Sequence, residues 1–309
     1  MERKVLVALD GSIYGKNTLN YLCQLFNNIP DIHLHLLTLI PSSGGPQPSQ
    51  WQDQADFMNS ISPANRKKKE RGRHIIQNAI QFLQRNGVSE QRITSAVRFA
   101  GRSIASEIIA EARQGLYDAL VIGRRGLGKL EGWIMGSVSG IVLEKCSDVP
   151  IWIVDGKVDS KNFLVPVDGS PHCLKAVDHI SFILKDHPFA EITLFNSKAF
   201  FTKNIEIDIE ACSNYMGEEW CDIHYNKPES LFSAPKQVLL DAGFPADRIH
   251  TFQTSKGIYP SRQIVRQALV HNFGTIVMGR REGFYKKGVF KGVSDRVLAM
   301  AEQVAIWIV

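Results

Sequence analysis

Three glycines in the segment VIGRRGLGKLEGWIMGSVSG (121–140) have a spacing suited to phosphate binding. Gly123, Gly126 and Gly136 follow the pattern G-x2-G-x9-G, and Ser137 comes next at the start of a predicted helix. Glycines let main-chain N–H groups approach an anion closely, and a helix N-terminus adds donors that carry partial positive charge. The segment therefore predicts a phosphate-binding loop, although Ser137 also suits a helix N-cap when nothing binds.

An acidic residue ends the first strand predicted near the N-terminus. The apolar run VLVAL (5–9) leads into Asp10, Gly11 and Ser12, a pattern typical of a buried strand that ends in a turn. Ligands of open parallel sheets bind beyond the carboxyl ends of the strands, where an acidic side chain can accept hydrogen bonds from ribose hydroxyls. Asp10 therefore suits the sugar of a nucleotide, and the alternative is a turn-forming Asp before Gly.

The chain contains an internal duplication with a period of roughly 156 residues. Three motifs recur in the same order: VLVALDGS (5–12) as FLVPVDGS (163–170), the glycine segment as VMGRREGFYKKGVFKGVSD (277–295), and IWIV (151–154) as IWIV (306–309). We therefore predict two domains, a first copy spanning residues 1–155 and a second copy spanning residues 161–309. The short polar segment DGKVDS (155–160) joins them.

The elements that must position these motifs alternate between apolar strands and amphipathic helices. In the first copy, a helical pattern from Leu19 to Phe26 precedes the strand HLHLLTLI (33–40), and DALVIG (118–123) runs into the glycine loop. Because the strands are almost wholly apolar, we predict an α/β chain with parallel sheets covered by helices on both faces. The last strand would leave an unpaired edge, so the two IWIV segments should pair with each other, or the second with another chain.

The composition is that of an ordinary folded protein. Apolar residues make up 44% and charged residues 22% of the 309 residues, which excludes disordered and collagen-like classes. The formal net charge of +5 suits an anionic partner such as a phosphorylated ligand or nucleic acid. The N-terminus lacks the apolar core of a signal peptide, and no stretch has the length of a membrane span, so we expect a cytosolic protein.

Other residue groups give weaker signals. The 5 cysteines show neither CxxC nor zinc-type spacing, so we expect free thiols. His33 and His35 share one face of a strand, and Cys221 and His224 form a second pair, but neither pair has a third metal ligand and we predict no metal site. The basic run RKKKERGR (66–73) is interpreted as a solvated helix start or a loop, because no aromatic residues alternate with it as in a nucleic-acid surface.

Taken in order, ALDGS (8–12), GRRGLGKLEGWIMGSVS (123–139) and DVPIWIV (148–154) resemble the ATP-binding branch of the universal stress protein family. The likeness spans the first copy apart from an insertion at 41–73, and the second copy resembles the family over its length. The resemblance implies two doubly wound five-stranded parallel sheets of strand order 3-2-1-4-5, adenine nucleotide α-hydrolase-like. The closing strands would then pair between the two domains, as an intramolecular pseudo-dimer.

The resemblance also implies roles for particular residues. Asp10, with Ser12 beside it, would hold the ribose or adenine side, and Leu39 would lie against adenine. The phosphates would contact the glycine motif and its flanking residues: Gly123, Gly126, Gly136, Ser137, Val138 and Ser139. The side chains of Arg124 and Arg125 could reach phosphate, and a solvent-facing basic turn is the alternative. The expected ligand is ATP, ADP or AMP, with or without Mg²⁺.

The second copy departs from this motif. Glu282 replaces the second glycine, Lys291 stands where Gly136 stands, one loop residue is missing, and Asn196 replaces Leu39. A carboxylate in the loop would repel a triphosphate. The candidate residues of this degenerate site are Asp168, Ser170, Gly279, Arg280, Gly292 and Ser294. We expect the second copy to bind nucleotide poorly or not at all, or to bind a different ligand.

Three functions follow from these features. The first is a stress or signalling protein whose ATP occupancy changes its conformation or its protein partners, with at most slow hydrolysis because no general base is visible. The second is an adenylyl- or phosphoryl-transfer enzyme, for which Ser12 and Lys16 follow the first strand without a glycine-rich cradle. The third is a non-nucleotide interaction module that uses the 66–73 run. Further homodimerisation of the tandem chain is left open.

Overall fold

The computed structural model describes residues 2–27, 29–41, 62–124, 136–199, 208–225, 227, 230–255, 257–280 and 292–309. Strands and helices alternate through the first copy: β1 (Arg3–Ala8), α1 (Ile13–Phe26), β2 (Ile32–Pro41), α2 (Pro63–Arg85), β3 (Ile93–Ala100), α3 (Ile104–Gln114), β4 (Ala119–Gly123), α4 (Ser137–Lys145) and β5 (Ile151–Val154). A short 3-10 helix, Glu90–Arg92, precedes β3.

The second copy repeats this order, and two short helices are described between its second strand and the helix that corresponds to α2. Its elements are β6 (Asn162–Pro166), α5 (Pro171–Leu184), β7 (Glu191–Ser197), α6 (Ile209–Met216), α7 (Glu218–His224), α8 (Ser230–Asp241), β8 (Ile249–Thr254), α9 (Pro260–Val270), β9 (Thr275–Met278), α10 (Val293–Met300) and β10 (Ala305–Ile308). A 3-10 helix, Ala246–Arg248, precedes β8.

The described strands form one continuous sheet in the order β3-β2-β1-β4-β5-β10-β9-β6-β7-β8. Each copy contributes five parallel strands in the order 3-2-1-4-5, and the closing strands β5 and β10 pair antiparallel with Trp152 opposite Trp307. The predicted α/β fold and the predicted pairing of the IWIV segments are both confirmed. This pairing buries what would otherwise be the exposed edge of each half.

Two stacked tryptophans lie at the seam between the copies. The rings of Trp152 and Trp307 are 3.9 Å apart and 5° from parallel, and both side chains are fully buried. Each indole N–H donates to a buried polar partner: Trp307 to the hydroxyl of Tyr21 (2.9 Å) and Trp152 to Nε2 of His179 (3.1 Å). The Tyr21 hydroxyl is also 2.8 Å from Oγ1 of Thr275. Both indole N–H groups and the Tyr21 hydroxyl therefore have hydrogen-bond partners inside this packed core.

The expectation of free thiols is wrong for one pair of cysteines. Cys212 and Cys221 form a disulfide between α6 and α7, whereas Cys23, Cys146 and Cys173 are free and buried. Gly217 lies between the two helices with φ of 90°, a conformation that favours glycine and turns the chain so that the two thiols meet. The sequence gives no spacing motif for such a pair, because the turn decides it.

No helix in the described part of the chain is both long and apolar enough to cross a membrane.

Candidate functional site

A cavity of about 440 Å³ lies at the carboxyl ends of β1, β2 and β4 in the first copy. Strand β1 pairs with β2 on one side and with β4 on the other, so the crossovers leave in opposite directions and open a crevice between them. The predicted site residues that line it are Asp10, Ser12, Leu39, Gly123, Gly136, Ser137, Val138 and Ser139. Arg125 and Gly126 lie outside the described residues.

At the phosphate end of the predicted site, hydrogen bonds join the two ends of the glycine loop. The N–H of Gly136 donates to the carbonyl of Arg124 (3.1 Å), whose own N–H donates to the carbonyl of Val154 (3.1 Å). The hydroxyl of Ser139 donates to the carbonyl of Gly123 (2.8 Å). These bonds bring the two ends of the glycine loop together, directly in front of the N-terminus of α4.

The start of α4 differs by one residue from the sequence prediction. Gly136, not Ser137, is the N-cap residue, and Ser137 begins the helix. No side chain among the described residues caps this end, so the first main-chain N–H groups of α4 lie at the cavity wall without an intrahelical acceptor. A helix end of this kind suits an anionic group.

The other end of the cavity is formed by the turn after β1 and by β2. Oδ1 of Asp10 accepts a hydrogen bond from the N–H of Ser12 (2.9 Å), and its carboxylate is exposed at the cavity. Leu39 is half-buried in the wall, and the adjacent Thr38 is buried, its hydroxyl donating to the carbonyl of Leu9 (3.1 Å). Carboxylate and apolar wall therefore face the same space.

Helix α2 supplies lining residues that the sequence prediction missed. Lys68, Arg71, Gly72 and Ile75 line the cavity, and they fall on one helical face at positions i, i+3, i+4 and i+7. A Cβ at Gly72 would lie 2.8 Å from Cγ1 of Val97, so glycine lets α2 pack closely on the sheet. The run 66–73 is thus a helix start, as one interpretation held, but its basic face lines the cavity.

The side chain of Arg124 points away from the predicted phosphate position. It is buried, with 2% exposed, and its guanidinium pairs with Asp155 (3.0 Å). It also donates to the last carbonyls of α10, at Leu298 (2.7 Å), Ala299 (3.3 Å) and Ala301. The phosphate contact predicted for this side chain is wrong, because its guanidinium already donates to carbonyls at the C-terminus of a helix in the other copy.

In the second copy, the turn after β6 is engaged within the chain. Oδ1 of Asp168 accepts from the N–H (3.1 Å) and the hydroxyl (2.5 Å) of Ser170, which also caps α5. Tyr225, which is buried, donates its hydroxyl to the carbonyl of Gly169. Burial raises the pKa of Tyr225 to about 12, so the hydroxyl keeps the proton that it donates. Gly279 lies in close contact with the carbonyl of His172 at the start of α5.

The helix start of the second copy has its own carboxylate. Gly292 is the N-cap of α10, and its N–H donates to Oδ2 of Asp295 (3.1 Å). Asp295 is 1% exposed, and Ser294 is half-buried beside it. The place that an anion would take at this helix end therefore already has a negative charge next to it. The sequence signal for this cap is an Asp three residues after Gly292.

Strand register corrects one alignment between the copies. Ala8 pairs with Leu37 and Pro166 pairs with Phe195, so Asn196 corresponds to Thr38 rather than to Leu39. The amide of Asn196 donates to the carbonyl of Val167 (2.8 Å), as the hydroxyl of Thr38 does to that of Leu9. Leu39 is matched by Ser197, which is still a polar replacement.

Metal ligands do not gather in the described residues. No group of three or more His, Cys, Asp or Glu side chains that could hold a metal ion occurs among them. Cys221, which the sequence places near His224, is part of the disulfide. His35 pairs with Oγ1 of Thr94 (2.8 Å).

Comparison with known proteins gives a consistent result. Residues 1–155 match the model of the universal stress protein family. A universal stress protein from Archaeoglobus fulgidus DSM 4304 is 18% identical, with a TM-score of 0.63 over 99% of this chain and 95% of that chain. A putative universal stress protein from Pseudomonas aeruginosa UCBPP-PA14 is 15% identical, with a TM-score of 0.55 over 100% and 93%. At these identities the structural likeness shows the fold alone. The search of curated proteins gave no match.

Proposed function

The chain belongs to the universal stress protein family, and we propose that its first copy binds an adenine nucleotide. The chain would act in stress response or signalling, through nucleotide-dependent conformation or partner binding. One observation carries the proposal. The cavity of about 440 Å³ joins the N-terminus of α4, which no described side chain caps, to the exposed carboxylate of Asp10 and the apolar side chain of Leu39 at the other end.

The distribution of groups along the cavity favours one orientation of the ligand. The phosphates would lie at Gly136, Ser137 and the following first turn of α4, where main-chain N–H groups are the donors. The ribose hydroxyls would donate to Asp10, and the adenine ring would pack on Leu39. ATP, ADP and AMP all present this sequence of groups. Mg²⁺ would arrive with a triphosphate, since no cluster of metal ligands occurs in the described residues.

Positive charge at the cavity supports an anionic ligand. Lys68 and Arg71 of α2 line the same space as Gly123 of β4 and Ser139 of α4, so these three elements contribute to one wall. Positive charges in a concave site attract an anionic ligand more strongly than the same charges on an open surface. We therefore include both basic residues among the proposed contacts.

We propose that the second copy takes no nucleotide. The carboxylate of Asp295 accepts from the N–H of Gly292 at the helix start that corresponds to the phosphate position, and a nucleotide phosphate there would meet a like charge. The hydroxyl of Tyr225 donates to the carbonyl of Gly169, in the turn that corresponds to the sugar position. The proposed stoichiometry is one nucleotide per chain.

Titration calorimetry of the intact chain with ATP, ADP, AMP and adenosine tests this function. The matched variants are Asp10→Ala and Asp168→Ala, because these residues hold corresponding positions in the two copies. We expect saturation near one nucleotide per chain, and we expect Asp10→Ala to weaken binding about tenfold, the loss typical of a charge-assisted hydrogen bond. Asp168→Ala should bind as the wild type does.

Several outcomes would contradict the proposal. Binding of none of the four ligands would remove the nucleotide function. Two equivalent sites per chain, or equal losses for Asp10→Ala and Asp168→Ala, would show that the second copy also binds. Ser139→Ala is a second variant, because the hydroxyl of Ser139 joins the ends of the loop through the carbonyl of Gly123. Loss of this hydroxyl should lower the affinity for ATP more than the affinity for adenosine.

A further inference from the structure

Arg280, at the start of the second glycine segment, reaches across the seam into the first copy. Arg280 directly follows Gly279 at the end of β9, and its guanidinium donates to the carbonyls of Leu143 and Cys146. These are the last carbonyls of α4, which a helix leaves without intrahelical donors. A cation at this end also interacts favourably with the helix dipole. The second copy therefore supplies two of the hydrogen bonds that cap the C-terminus of α4, beside Arg113 of the first copy, which donates to the carbonyl of Lys145 (3.2 Å).

The corresponding arginine of the first copy makes the same contact in the opposite direction. Arg124 follows Gly123, and its guanidinium donates to the carbonyls of Leu298 and Ala301 at the end of α10. Both contacts join residues 134 to 177 positions apart in the chain. Both copies of the duplicated chain keep an arginine at this position, and both arginines make the same long-range contact, so the pair follows the pseudo-two-fold symmetry of the two copies. Arg124 and Arg280 are called the crossed arginines below.

The crossed arginines make contacts at both ends of α4, the helix that follows the glycine loop. The main-chain carbonyl of Arg124 accepts from Gly136 and so closes the loop in front of α4. Arg280 fixes the opposite end of the same helix, which has 9 residues and a length of about 13.5 Å at 1.5 Å per residue. Main-chain hydrogen bonds along its length keep so short a helix rigid. A displacement at its C-terminus therefore moves the N–H groups at its N-terminus by a similar distance.

We propose that Arg280 of the second copy is a positioning residue for the phosphates bound by the first copy. The proposal rests on the function proposed above, because that function places the phosphates at the N-terminus of α4. It assigns a role to the second glycine segment: its first arginine supports the working site in the other copy. By thermodynamic reciprocity, phosphate binding at α4 strengthens the contact of Arg280 with the end of that helix.

The experiment separates phosphate positioning from general stability by comparing two ligands. ATP and adenosine affinities are measured by calorimetry on the full chain as wild type, Arg280→Met and Arg280→Lys. Methionine keeps the length of the side chain and removes the donors, and lysine keeps the charge without the fork that spans two carbonyls. Arg85→Met, at an exposed arginine of α2, is the control.

We expect Arg280→Met to lower the affinity for ATP about fivefold or more, which is the lower range of coupling between sites. The affinity for adenosine should not change. Arg280→Lys should give an intermediate loss, and Arg85→Met none. Hydrogen exchange should show faster exchange of the amides of α4 (137–145) in Arg280→Met. If that variant does not fold, the ratio of ATP to adenosine affinity in Arg280→Lys decides.

Two failures are distinguishable. If the wild type binds ATP but the variants leave the ratio of ATP to adenosine affinity unchanged, or α4 exchanges at the wild-type rate, the positioning role is overturned and nucleotide binding stands. If the wild type binds neither ATP nor adenosine, both proposals are overturned together.

Discussion

A single buried histidine should make the seam between the copies sensitive to acid. His179 on α5 accepts the indole N–H of Trp152 at 3.1 Å, and its ring lies 5.8 Å from that of Trp307. Burial lowers its pKa from 6.5 to about 3. A fall in pH between these two values therefore protonates this histidine in the unfolded chain before it does so in the folded chain. The variant His179→Gln removes the titrating group and keeps an acceptor for Trp152.

The sign and size follow from the two pKa values. As the pH falls through 6.5 the unfolded chain binds a proton at this histidine, whereas the folded chain does not until about pH 3. The contribution of neutral His179 to stability is thus present above pH 6.5 and is lost on acidification. At 1.36 kcal/mol per unit, the loss between pH 7 and pH 4.5 is about 2.5 kcal/mol. His187, with a pKa lowered to about 4 by burial and by the charges of Lys161 and Arg248, adds a similar loss.

Urea unfolding followed by far-ultraviolet circular dichroism at pH 7 and pH 4.5 measures these losses. We expect His179→Gln to reduce the difference between the two free energies of unfolding by about 2.5 kcal/mol, and His187→Gln to do the same independently. His74→Gln, at a side chain that is 64% exposed, is the control. If the His179→Gln chain loses as much stability on acidification as the wild type, protonation of His179 is not the cause of the acid sensitivity.

Two further predictions concern the second copy and the seam. Replacing Cys212 and Cys221 by Ala should lower the free energy of unfolding by about 2.5 kcal/mol, because the disulfide closes a loop with a sequence separation of 9. Urea midpoints with and without reductant check this, and identical midpoints would count against it. Trp307→Phe should cost about 1 kcal/mol through the lost donor to Tyr21 and should abolish the near-ultraviolet dichroism of the stacked indoles. An unchanged spectrum would argue against that stack in solution.

Much of the fold could be predicted from the sequence, because local patterns specify it. The buried strands are continuous apolar runs, and the second IWIV segment pairs with the first as the duplication suggests. The cavity residues Asp10, Gly123 and Gly136 were also predictable, since strand ends of a parallel sheet converge at one edge. The domain limits 1–155 and 161–309 and the roles of the site residues stay predictions.

The direction of individual side chains was not predictable, because partners far away in the chain decide it. The sequence places Arg124 and Arg280 beside glycines and suggests phosphate contacts, but the seam brings helix ends of the other copy within reach of both guanidinium groups. The basic face of α2 acquires its place at the cavity only when Gly72 packs against the sheet.

From its sequence alone, this chain was predictable as a duplicated α/β protein, with a first glycine motif that favours phosphate and a second that departs from this motif. The packed fold added two contacts that were not predicted from the sequence: the carboxylate of Asp295 at the start of α10, and the reach of Arg280 to the end of α4. The same cause explains which features were predictable and which were not. Periodicity and turn chemistry act over a few residues, whereas the partner of a buried charge is whichever unsatisfied carbonyl or N–H the packed fold brings close.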